Sequence, residues 1–100
     1  MKTLTAEERR ELASHLNPRW SSQRRLLEQA QAAVDQYDAR IDAGTAQPGD
    51  EAMRDRRLEH IADHERQIAM IEGLIAKLGL QEECERIRRL VAEAAPIIKR

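Results

Sequence analysis

The chain has 100 residues, 41% of them apolar and 35% charged, but only two aromatics, Trp20 and Tyr37, and no Phe. A core assembled from Leu, Ile, Val, Met and Ala packs between helices and argues against an all-β architecture, and 100 residues make one domain, spanning 1–100. The 17 basic and 18 acidic residues leave a net charge of −1, with no bulk field to attract nucleic acid or an anionic membrane. One cysteine excludes an intramolecular disulfide, no eighteen apolar residues follow one another, and Met1 to Asn17 hold no signal-like apolar run. These features predict a soluble protein of the cytoplasm.

Thr5 followed by Glu8 is a capping box, and it opens a short helix predicted from Ala6 to Leu16, with Leu12 and Leu16 on one face. Pro18 is expected to end it. Asn17 and Pro18 then read as the start of a second helix, Asn as cap and Pro at the first helical position. In that helix Trp20, Leu27, Val34 and Ile41 recur every seven residues, with Gln23, Ala30 and Tyr37 at the partner position and Leu26 and Ala33 widening the stripe. Gly44 to Gly49 reads as a loop.

Asp50 is the predicted cap of a third helix. Ile61, Ile68 and Ile75 form one heptad position there and Arg57, His64, Ile71 and Leu78 the other, broadened by Leu58, Ala62, Ala69 and Leu74. Gly73 inside this helix is expected to mark a close approach by a neighbouring backbone, and Gly79 ends the helix. The last helix opens on Glu82, Glu83 and Glu85, as a helix dipole favours, and sets Leu80, Ile87 and Ala94 against Cys84, Val91 and Ile98. Pro96 is expected to break or kink it, leaving Ile97 to Arg100 as a tail. The fold predicted is all-α: an antiparallel helical bundle of two long helices, a half-length C-terminal helix and a short N-terminal helix.

No catalytic constellation emerges. Ser14, Ser21 and Ser22 sit at predicted helix starts or ends, Cys84 falls on a core position, and the four glycines form no phosphate loop. His60 and His64, four apart, have metal-ligand spacing and acidic neighbours, but no third ligand of fixed spacing accompanies them and His15 is remote in sequence. His64 therefore reads as a seam histidine, and no metal or cofactor is expected. The pairs Arg9–Arg10, Arg24–Arg25, Arg56–Arg57 and Arg88–Arg89 are flanked by carboxylates at helical spacing, with no aromatics interleaved to stack bases, so direct nucleic-acid binding is not predicted.

One charge asymmetry remains. Asp35, Asp38 and Asp42 line one face of the second helix, and Asp50, Glu51 and Asp55 open the third, six carboxylates at one hairpin end, diluted by Arg40, Arg54, Arg56 and Arg57. These six are the candidate contact for a basic partner surface.

The opening Met1-Lys2-Thr3-Leu4-Thr5-Ala6-Glu7-Glu8-Arg9-Arg10-Glu11-Leu12, with the chain's length, helicity and near-neutral charge, resembles the small all-helical phage-encoded anti-CRISPR proteins, in particular inhibitors of type I-F surveillance complexes. The resemblance assigns no binding residue by position. It implies a non-enzymatic inhibitor, acting in the host bacterial cytoplasm, that binds a CRISPR-Cas effector complex (Cas8/Cas7-type subunits with their crRNA) and keeps target DNA from being recognised or unwound. The alternative is a homodimeric coiled-coil adaptor, regulatory or structural, from a bacterium or mobile element; of the two states a monomer is favoured.

Overall fold

The computed structural model describes residues 3–98, with side chains as far as Ala94. Three helices make up the fold: α1, Ala6–Asp42; α2, Asp50–Leu78; and α3, Gln81–Ile98. No strand occurs among the described residues. The predicted all-α class holds, with two long helices and a shorter C-terminal one.

The predicted N-terminal helix is helical over its expected span, but it does not end at Pro18. It runs on into the second helix as α1. An internal proline forfeits one backbone hydrogen bond and costs about 3 kcal/mol. Pro18 lies on the exposed face, where water can satisfy the Ser14 carbonyl. What holds the helix through it is the seam: Ala13 lies seven residues before Trp20 and Leu16 seven before Gln23, and Ala13 is completely buried. Pro96 is treated similarly. The α3 backbone remains helical through Ile97 and Ile98, and Ala92, whose carbonyl loses its partner, is exposed. The remainder of the predicted tail, residues 99–100, lies outside the described residues.

The helix ends follow the sequence. Thr5 N donates to Glu8 Oε1 at 2.8 Å and Glu8 N to Thr5 Oγ1 at 3.1 Å, which completes the capping box. At the C-terminal end of α1, Thr45 N reaches Arg40 O and Gly44 N reaches Ile41 O, with Gly44 at φ 74°. The end of α2 repeats the pattern with Leu80 N to Ile75 O, Gly79 N to Ala76 O, and Gly79 at φ 67°. Both are Schellman closures, and a side chain at either glycine would strain that left-handed backbone.

The described residues fall into two compact units, each built from parts of both long helices. One comprises the chain up to Ser21 together with Met70 onward. Its core is Ala13, Ile71, Ile75, Leu80 and Cys84, with Leu12, Leu16, Trp20, Leu78 and Ile87 packed around them. Each fully buried Ile or Leu there contributes about 1.5–3 kcal/mol. Arg9 pins this unit's turn, donating from Nε to Glu83 Oε1 at 2.6 Å, from Nη2 to Glu83 Oε2 at 3.2 Å, and from Nη2 to the Gly79 carbonyl. The expected close approach at Gly73 is absent, because a Cβ built there meets nothing within 4 Å.

The other unit, Ser22–Ala69, is an antiparallel pair of helix segments closed by the Gly44–Gly49 loop. As α1 numbers fall from Arg40 through Asp38 to Gln23, their α2 partners rise from Asp50 through Arg54 to His64. Ala30, Val34 and Ile68 are buried, while Leu27, Tyr37, Ile41 and Ile61 are half-buried. The seam prediction therefore holds, but most of its broadening does not. Leu26 and Leu58 are 39% and 47% exposed, Ala62 and Ala69 are also exposed, and only Ala33 is half-buried. Two facing helices cover just the seam positions, and flanking positions need a third helix. In the first unit Leu74 and Val91 are likewise exposed, against expectation.

Candidate functional site

The loop end of the Ser22–Ala69 unit carries the six carboxylates singled out by sequence, and the structure separates them into two groups. Asp50 is buried, 7% exposed, and turned inward. Its Oδ2 and Oδ1 accept from Arg40 Nε and Nη2 at 2.9 and 3.1 Å, and Oδ2 also accepts the Gln47 backbone N–H at 2.8 Å. Asp50 thus faces back across the loop rather than forward over the first turn of α2, so it is a loop clamp and not the predicted cap. The Arg40 hydrogen bonds, and after them the Gln47 amide, hold its carboxyl below the usual carboxylate range. Asp38 is half-buried and accepts from Arg54 Nη1 at 3.3 Å.

The other four, Asp35, Asp42, Glu51 and Asp55, are exposed. Asp55 accepts from Arg54 Nη2 at 3.4 Å, whereas Asp35, Asp42 and Glu51 form no ion pair among the described residues. Arg54 and Arg57 each leave Nε buried without a hydrogen-bond partner among the described residues. The loop end is therefore a clamped framework, with Asp50 buried against a partly exposed Arg40 and with Asp35, Asp42 and Glu51 exposed on its outside.

Sequence alone treated Arg40 as a dilution of the acidic charge, yet it organises this end. Its guanidinium also sits 4.9 Å from the centre of the Tyr37 ring. Position carries the signal: Tyr37 is a seam residue and Arg40 follows it by three, on the same face. A parallel arrangement occurs in the other unit. Arg88 lies 3.8 Å from the Trp20 ring centre and donates from Nε to Asn17 Oδ1 at 2.9 Å, while Trp20 Nε1 donates to Glu72 Oε1 at 3.0 Å. Asn17, read from sequence as a helix cap, is instead a buried polar residue at 4% exposure, satisfied by Arg88.

His64 Nδ1 lies 2.8 Å from Gln23 Oε1 in the seam, and His60 is half-buried. Among the described residues no three His, Cys, Asp or Glu side chains are grouped to hold a metal ion. Cys84 is 1% exposed, and burial pushes its thiol up, away from the reactive thiolate. No helix among the described residues is long and apolar enough to cross a membrane. No protein-family model, curated protein or solved structure matches the chain.

Proposed function

We propose that this protein acts without catalysis, by docking the loop end of its Ser22–Ala69 unit on a basic surface of a larger protein assembly. The observation that carries this reading is the division among the carboxylates: Asp50 is consumed in clamping the loop, while Asp35, Asp42 and Glu51 stand exposed without ion pairs among the described residues on the framework it fixes. A rigid acidic end loses little conformational entropy on binding, and its charge steers it toward Lys- and Arg-rich surfaces. The resemblance of the opening residues and of the chain's size and charge to type I-F anti-CRISPR proteins supplies the partner class. In that role the carboxylates compete with target DNA for a DNA-binding surface of the surveillance complex.

The test mixes purified type I-F surveillance complex with the full chain, follows co-elution by size exclusion, and measures target-DNA binding by fluorescence anisotropy. Expected are a stable complex, loss of DNA binding, and recovery of DNA binding when Asp42→Asn and Glu51→Gln are combined. Failure of the intact chain to co-elute rejects the CRISPR assignment. Co-elution unaffected by the double variant rejects the acidic end as the contact.

A further inference from the structure

Burial along α3 falls off in a way that leaves one stripe uncovered. Leu80 and Cys84 are 0% and 1% exposed and Ile87 is half-buried, but Leu90, one turn further on, is 59% exposed. Leu90 lines a groove of about 240 Å³ together with Arg10, Ser14, Glu83, Arg86 and Ile87. Residues three, four and seven apart share a helix face, so Arg86, Leu90 and Glu93 form one stripe, with the apolar residue in the middle and opposite charges at its ends. Arg86 and Glu93 are both exposed and neither forms an ion pair among the described residues; Arg86 does lower the Glu83 carboxyl electrostatically, as a minor contribution beside Arg9.

That order of charges complements itself under a twofold axis. Set antiparallel to a copy of itself, α3 brings Arg86 opposite the copy's Glu93 on one side and Glu93 opposite the copy's Arg86 on the other. Leu90 then meets its counterpart near the axis, over the groove.

We infer that the uncovered α3 stripe Arg86–Leu90–Glu93 is a self-association surface, occupied by α3 of a second copy of this chain in a twofold-symmetric, antiparallel contact. The inference is independent of the proposed CRISPR partner, since the residues belong to the other compact unit.

Sedimentation equilibrium of the full chain tests it, with circular dichroism to verify that each variant is folded. The intact chain is expected to show a reversible monomer–dimer equilibrium. Leu90→Ser, Arg86→Glu and Glu93→Arg should each weaken the dimer about tenfold or more. The double variant Arg86→Glu with Glu93→Arg, which exchanges the charges without changing their complementarity, should return most of the lost affinity. A chain that stays monomeric up to about 1 mM overturns the inference. So does a dimer indifferent to all three single changes, or one that the double variant fails to rescue.

Discussion

Arg40 and Asp50 close the loop end of the Ser22–Ala69 unit with two parallel hydrogen bonds, Nε to Oδ2 at 2.9 Å and Nη2 to Oδ1 at 3.1 Å. The paired geometry makes this contact specific for a carboxylate, and the Gln47 amide on the same carboxylate extends it to the loop backbone. Replacing Asp50 by Ala removes all three acceptor contacts and takes from the Arg40 guanidinium its carboxylate partner, leaving it the contact with the Tyr37 ring. The urea midpoint of Asp50→Ala is therefore expected to fall clearly below that of the intact chain. Asp42→Asn, at an exposed position without an ion pair among the described residues, should leave it unchanged. Equal midpoints for the two variants would falsify the clamp.

Stability should also depend on acid in a direction fixed by the lowered carboxyls, Glu83 and Asp50 among them, with Glu8 held the same way by its Thr5 hydrogen bonds. The Arg9 hydrogen bonds hold Glu83 below its ordinary range, as those of Arg40 hold Asp50. In the unfolded chain these groups return to about 4.3 and 3.9, so over the window beneath those values the unfolded state binds more protons than the folded one. The contribution is thus fully present at neutral pH, begins to fade as pH drops through the unfolded values, and is gone below the lowered folded ones. Urea titrations from pH 7 downward should show a loss of stability beginning near pH 5. In Glu83→Gln the loss should be shallower, since that variant lacks one of the lowered carboxyls; an identical pH profile in the variant excludes Glu83 as a source.

How much of this was legible in sequence depends on how each feature is encoded. Seams are written in spacing, and Val34, Ile68, Ile71, Ile75 and Cys84 are buried where the heptads put them. Helix ends are written in single residues, so Thr5 with Glu8, Gly44 and Gly79 read correctly. Asn17 and Pro18 carry a local start signal that the seam crossing them overrides: Ala13 and Leu16 already keep the frame of Trp20 and Gln23, and tertiary burial outweighs one proline. The acidic end was legible as composition only. Which carboxylate turns inward depends on Arg40 meeting Asp50 across a loop, and no periodicity carries that information.

Gly73 offers a direct test of packing. Sequence assigns it a close contact, while the structure leaves open space where its Cβ would be, on a helical backbone with no positive φ. With no clash to oppose it, Gly73→Ala should gain most of the helix-propensity difference, about 1 kcal/mol. Chemical denaturation should show a higher midpoint with an unchanged slope. A lower midpoint would mean that a neighbour occupies that space.

Pro18 gives the opposite kind of case, a proline in a helix interior that the fold tolerates. It lies within the continuous α1, exposed, one residue beyond buried Asn17, whose Oδ1 is held by Arg88. Pro18→Ala restores the amide that can donate to the Ser14 carbonyl and removes the ring from the preceding turn. Part of the roughly 3 kcal/mol proline penalty should then be recovered, and a gain of about 1–2 kcal/mol is expected because water already satisfies some of the freed carbonyl. The same substitution separates the two readings of this segment. If α1 were two helices meeting at Asn17, with Pro18 at the favoured first position of the second, losing the proline would be neutral or destabilising. A rise in the urea midpoint of Pro18→Ala, with helicity by circular dichroism at least equal to that of the intact chain, is the outcome that a single continuous helix requires.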